Sequence, residues 1–241
     1  MIRDAKGSVD DMLQIKTVLV SVFDKSGLDD FIPRLVELCP GVMFLSTGGT
    51  YKKMVELLGE KAKDQLVEVA DYTGFPEMEG GLVKTLHPKI HAGILGEKNN
   101  PEHQKYIADM NGRYIDMVAV NLYPFEKVIK KIEAGEINPE TKRPYDFESA
   151  RGNIDIGGPC MLRAAAKNFL SCLPICEPFD YLNAMVDLRD NKGAISFYLR
   201  QLHAAKVFRV TAEYDRQIAE FLNKSLGREA TVTIRQNYGL R

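Results

Sequence analysis

An acid, two adjacent glycines, a proline and two cations share fourteen residues of this 241-residue chain, IDIGGPCMLRAAAK from Ile154 to Lys167. Pro159 suits the first position of a helix, where its missing N–H costs nothing. Met161 to Lys167 are good helix formers, and Arg163 and Lys167, four apart, share a face. Asp155 stands just ahead of the Gly157-Gly158 turn. A carboxylate and an ammonium meeting over a cleft would make a proton-transfer pair. The same residues also fit a solvated helix cap with surface charges, which contribute little.

Three other stations could carry chemistry. Ser46-Thr47-Gly48-Gly49-Thr50 has the order of a strand end, a glycine turn and a helix start. A helix start offers unpaired N–H donors and a partial positive charge, so a phosphate would fit there, as would a simple threonine cap. The segment is neither a Walker A sequence nor a dinucleotide fingerprint. Lys84-Thr85-Leu-His-Pro-Lys-Ile-His91 gathers two lysines and two of the four histidines. His87 and His91 have the spacing of a helical metal pair, but Pro88 argues against a regular helix there, and no metal is expected. Lys84 and Lys89 could hold anionic groups or be solvated surface lysines. Asn121 and Tyr123 close an apolar run. Asn121 could offer a donor and an acceptor to a carboxamide, or make an Asx turn ahead of Pro124.

Elements must position these groups. Lys16–Phe23 reads as a buried strand, followed by the Asp24-Lys25-Ser26-Gly27 turn and a helix over Leu28–Leu38 with Pro33 in its early turns. Val42–Leu45 reads as a second strand and Tyr51–Leu58 as a helix ended by Gly59. Leu66–Val69 and Asp116–Asn121 are further strands, and Pro101–Met110 and Pro124–Ala134 are helices. Residues 71–96 read as a long functional loop. Leu170–Ile175 is another strand, Phe179 to about Lys224 is mainly helical, and Thr231–Arg241 has strand character. This alternation predicts a parallel α/β sheet, and ligands of such sheets bind beyond the carboxyl ends of the strands. The four stations should therefore gather on one edge.

Hydrophobic content of 45% and charged content of 27% are ordinary for a globular chain. A net charge of −1 supplies no global field for nucleic acid or an anionic membrane. Cys39, Cys160, Cys172 and Cys176 form no C-x-x-C pair and read as small core residues of a reducing compartment. The first residues are polar, and no run is long and apolar enough to span a bilayer, so a cytoplasmic location is expected.

The motifs SVFDKSG (Ser21–Gly27), STGGT (Ser46–Thr50), VKTLHPKIHAGIL (Val83–Leu95), NLYPF (Asn121–Phe125) and Ile154 to Asn168 stand in the order seen in IMP cyclohydrolase. The chain resembles that family, the N-terminal half of the bifunctional enzyme that also carries an AICAR formyltransferase, from Lys16 to roughly Leu222. The resemblance implies a three-layer, parallel-sheet core of methylglyoxal-synthase-like α/β fold with an added C-terminal helical part. Residues 1–15 read as a flexible leader, and 16–241 as one domain. That domain would hold a core over 16–135, a surface excursion over 136–150, and an active-site helix with helical tail over 151–241; a formyltransferase domain is expected to be absent. The implied activity is dehydrative closure of FAICAR to IMP, a hydrolase-class reaction without a cofactor. A homodimer and a separate formyltransferase are the implied protein partners. Ligand contacts implied by the resemblance fall on Asp24, Lys25, Thr47, Gly48, Gly49, Thr50, Val83, Lys84, Thr85, Val120, Asn121, Asp155 and Ile156. Catalytic roles fall on Lys84, Tyr123, Asp155 and Lys167. Leu82, where many members have arginine, and Phe23, where some have serine, depart from the pattern. Methylglyoxal synthase and a non-catalytic nucleotide-binding allosteric module are the alternatives.

Overall fold

The computed structural model describes residues 9–76, 78 and 82–239, and the chain divides into two compact units. One comprises the residues up to Leu122 with Ile156–Phe208, the other Tyr123–Asp155 with the residues from Arg209 onward. In chain order the elements are β1 (Met12–Gln14), β2 (Thr17–Val22), α1 (Leu28–Leu38), β3 (Met43–Ser46), α2 (Gly48–Leu58), α3 (Ala62–Gln65), β4 (Leu66–Glu68) and α4 (Val69–Thr73). There follow α5 (Pro88–Leu95), α6 (Pro101–Asp109), β5 (Met117–Asn121), α7 (Phe125–Glu133), α8 (Phe147–Gly152), α9 (Gly157–Lys167) and β6 (Leu173–Ile175). The chain continues through α10 (Asp180–Asp190), β7 (Ala194–Ser196), α11 (Phe197–Lys224) and α12 (Arg228–Asn237).

In the first unit, five parallel strands lie in the order β4-β3-β2-β5-β6. Parallel strands buried on both faces require nearly unbroken apolar runs, and TVLVSV and MVAVN supply them. Leu28, Phe31, Ile32 and Leu35 of α1, Met54 of α2, and Tyr181 and Leu188 of α10 pack with Val18, Val20, Phe44, Met117 and Ile175 on one face. Helices α5 and α9 pack together, with α9 against β5 and β6. The result is the three-layer α/β core expected. Each fully buried Leu, Val or Phe contributes about 1.5–3 kcal/mol.

The chain steps from β2 outward through β3 and β4, then reverses to β5 and β6. The switch point therefore lies between the carboxyl ends of β2 and β5, where Val22 pairs with Asn121.

Several local expectations are corrected. The leader is not loose throughout: Met12–Gln14 pairs antiparallel with Ala194–Ser196, and Leu13 is buried. Arg200 explains the anchoring, since its buried guanidinium donates to the carbonyls of Asp10, Asp11, Ile195 and Phe169. Residues 1–8 lie outside the described residues, as do 77 and 79–81 of the long loop. Helix α9 begins at Gly157, so Pro159 sits inside its first turn. Pro88 does not forbid a helix at His87–His91; it opens α5, with His87 as the cap. The stretch from Thr231 is helical as far as Asn237. Its β-branched residues cost only tenths of a kcal/mol each in a helix, ~0.7 at most.

The second unit is held by aromatic packing. Phe125 meets Tyr214 and Phe221 edge-on at 6.1 and 5.8 Å, and Phe147 stacks on Phe221 at 5.7 Å. The excursion closes through a bridge between Ile137 and Pro144, and Asp146 and Ser149 form a capping box on α8.

Candidate active site

At the switch point the side chain of Asn121 closes the loop after β2. Its Oδ1 accepts from the N–H groups of Phe23 and Asp24 at 2.7 and 2.9 Å, and its amide donates to the Asp24 carbonyl at 2.7 Å. Asp24 in turn accepts from Ser26 N–H at 2.9 Å, an Asx turn. Both residues thus shape the loop. Val120, beside Asn121, is buried in the strand.

Thr50 has a similar part. Its buried hydroxyl accepts from Val22 N–H at 3.1 Å and donates to Val22 O at 3.0 Å, tying α2 to the end of β2. Thr47 caps the helix by position only, its hydroxyl lying 2.8 Å from that of Ser21.

The start of α2 is a positive cradle. Gly48 adopts φ +47°, and a Cβ on it would lie 3.3 Å from Lys84 Nζ. A Cβ on Gly49 would lie 3.9 Å from Lys25 Nζ. Two ammonium groups therefore converge on a helix N-terminus whose first turn holds no acid. A helix N-terminus with cationic side chains beside it is suited to hold an anionic group. Next to Lys84, Val83 adopts φ +68°, a region a β-branched residue occupies only at a cost of about 1–3 kcal/mol. Phe23 and Leu82, the two departures from the family pattern, are both exposed.

His87 Nδ1 accepts from Lys89 N–H at 3.1 Å, so the histidine caps α5. Lys89 is directed elsewhere, donating to Tyr72 O at 2.7 Å and lying over the Tyr72 ring. Burial holds the His91 imidazole below its ordinary pKa, with the Thr85 backbone opposing weakly. Among the described residues no cluster of three or more His, Cys, Asp or Glu could hold a metal ion.

Helices α5 and α9 run parallel and are clasped at both ends. At their starts, a Cβ on Gly157 would sit 2.8 Å from Thr85 Oγ1, so only glycine permits this approach. At their ends, the buried Asn168 amide donates to Ile94 O at 2.7 Å and Gly96 O at 3.3 Å. Nothing in the sequence motifs distinguishes Asn168 from an ordinary helix-terminal asparagine.

The structure brings Lys25, Lys84, Thr47, Gly48 and Gly49 together, with Thr85 beside Gly157. It does not bring Lys167 to them. Lys167 is exposed in the last turn of α9, ten residues and about 15 Å of helix beyond Gly157. Its four-carbon stem, laid back toward the helix start, spans less than half of that. Ile156 precedes α9 as an exposed cap residue.

Tyr123 and Asp155 belong to the second unit. Tyr123 is exposed just past β5, and its carbonyl accepts from Phe125 N–H at 2.8 Å. Asp155 is half-buried, and its N–H donates to the Tyr214 hydroxyl at 2.8 Å. That hydroxyl donates to Asn153 O at 3.1 Å. Tyr214 is buried and its pKa is pushed up to about 12, chiefly by that burial. Sequence spacing did not reveal it, because it lies 59 residues from Asp155.

Residues 27–160 match the MGS-like domain family, and residues 165–241 match the AICARFT/IMPCHase bienzyme family. The bifunctional purine biosynthesis protein PurH of Chlorobium phaeovibrioides is 43% identical over 233 residues, 94% of this chain and 41% of its own length. Those of Magnetococcus marinus and Leptospira biflexa are 44% and 43% identical, with 88% and 90% of this chain and 36% and 39% of their own lengths covered. The chain thus spans about two fifths of the length of these curated relatives. The crystal structure of ForH superposes with a TM-score of 0.66 at 29% identity, covering 86% of this chain and 99% of that one. The motifs that resemble IMP cyclohydrolase and the parallel sheet with its switch-point loops agree with these matches, and the chain belongs to the MGS-like domain family.

Proposed function

We propose that the chain is an IMP cyclohydrolase, closing the pyrimidine ring of FAICAR to IMP with loss of water. The observation that carries this reading is the convergence of Lys25 and Lys84 on the start of α2, a site for the nucleotide phosphate. The PurH relatives and the AICARFT/IMPCHase match over 165–241 support it.

In the reaction, the carboxamide nitrogen attacks the formyl carbon of the same molecule. The lone pair of an amide is delocalised, so the step needs close approach, a base and charge stabilisation. Holding nitrogen and carbon at attack distance supplies the first. The Asp155 carboxylate takes the nitrogen's proton as the C–N bond forms. The developing oxyanion is met by the N–H groups at the start of α9 or by a lysine ammonium. The oxyanion takes a first proton to become a hydroxyl, which leaves as water on taking a second, while the formamide nitrogen gives up its N–H and its electron pair forms the C=N bond. Lys84 and Tyr123 orient the ring and polarise the carbonyl.

Lys167 serves as the acid in this scheme. Because it stands at the far end of α9 from Gly157, a second copy of the chain would have to supply it, which the implied homodimer would allow. Lys84→Ala and Lys167→Ala proteins, each inactive alone, should regain activity when mixed and re-equilibrated, since one site of each mixed dimer is then intact.

Purified chain should convert FAICAR to IMP well above the uncatalysed rate in a spectrophotometric assay. A rate equal to background would refute the assignment. IMP binding without turnover would instead favour the allosteric module, and phosphate release from a triose phosphate the methylglyoxal synthase alternative.

A further inference from the structure

Asp155 stands in the irregular segment between the end of α8 and Ile156, with two glycines immediately beyond. The Tyr214 hydroxyl supplies two bonds, accepting from Asp155 N–H and donating to Asn153 O. These are backbone groups two residues apart, so one phenol oxygen staples the turn that carries the acid. The ring is fixed in its turn, packed edge-on against buried Phe125. Both the staple and the acid lie within the second unit.

We propose that Tyr214 is a positioning residue for the cyclisation, its hydroxyl pinning the Asp155 backbone so that the carboxylate is presented in one orientation. The inference rests on the cyclohydrolase reading, with Asp155 as the base. Its chemistry is specific to the hydroxyl. Phenylalanine would keep the ring packing and lose only the staple, leaving the Asp155 N–H and Asn153 C=O to find water or to shift. Misplacing a base by a fraction of an ångström to 1 Å is enough to slow proton transfer 10- to 100-fold.

The test is Tyr214→Phe, with kcat and KM for FAICAR, the Kd for IMP by calorimetry, and the pH–rate profile. The expected result is a kcat lower by ~10-fold or more, a Kd for IMP within about twofold of wild type, and a displaced acidic limb of the profile. A folded variant with wild-type kcat overturns the proposal, as does a loss confined to KM or to thermal stability. Amide exchange in the unsubstituted protein decides the matter if the variant does not fold. The Asp155 N–H should exchange far more slowly than an unstructured amide, and exchange at the unstructured rate overturns the staple. If the unsubstituted protein fails to cyclise FAICAR, the functional reading falls. The staple is then judged by whether Tyr214→Phe exposes the Asp155 amide to exchange.

Discussion

Asn121 and Asp24, 97 residues apart, are joined by a two-way hydrogen-bond exchange: the Asn121 carboxamide accepts from the Asp24 N–H and donates to the Asp24 carbonyl. This exchange sets the loop after β2 against the end of β5 at the switch point. Asn121→Ala leaves three backbone groups to find other partners. We expect a loss of about 1–3 kcal/mol in denaturant unfolding and at least a tenfold weaker affinity for IMP. Wild-type affinity in the variant would show that the loop is set by other contacts.

The cradle at α2 depends on the bareness of Gly48. Gly48→Val combines an unfavourable positive φ with a side chain directed at the Lys84 ammonium. The expected outcome is a KM for FAICAR raised ~10-fold or more, with stability lower by about 1–3 kcal/mol. An unchanged KM would move the phosphate elsewhere.

Close helix approach makes its own prediction. Gly157→Ala places a methyl 2.8 Å from Thr85 Oγ1, a distance real Cβ atoms do not tolerate. Either the Thr85 side chain or the start of α9 must shift, and the overpacking should cost about 1–3 kcal/mol. Pairing it with Thr85→Ala should recover part of that loss, which a double-mutant cycle measures directly.

For the chemical step, Asp155→Asn and Lys167→Ala should each bind IMP yet lose cyclisation by ~10²-fold or more. Calorimetry for binding and the FAICAR assay for turnover separate the two effects. Near-full turnover in either variant would remove that residue from the mechanism.

Stability should respond to pH through His91. Its pKa is depressed in the folded state by burial, so the unfolded chain binds the proton more readily. The contribution is complete above the ordinary histidine value of 6.5 and is lost as pH falls below it. The melting temperature should decline from pH 7 to pH 5, and His91→Gln should flatten that decline. An identical decline in the variant would assign the titration to other groups, of which His203, also depressed by burial, is the first to substitute.

Local chemistry alone carried much of this protein. Runs such as TVLVSV and MVAVN can satisfy themselves only as strands buried on both faces, so a parallel sheet and the loops at its carboxyl edge were legible from residue types. The glycine pair after β3 marked the turn into α2, where Gly48 does adopt a positive φ. The rest depended on contacts far apart in sequence. That Lys84 and Lys25 meet at Gly48 and Gly49, that Asn168 clasps α5, and that Tyr214 staples Asp155 follow from packing across tens of residues, to which no local pattern responds. The strand character of Thr231 onward failed because β propensity is weak without a neighbouring strand edge, and the backbone there satisfies its hydrogen bonds as a helix. Lys167 shows the same division. Its helical position could be read from sequence, but which end of α9 faces the start of α5 was decided only by packing, which sets Gly157 beside Thr85 and leaves Lys167 in the far turn.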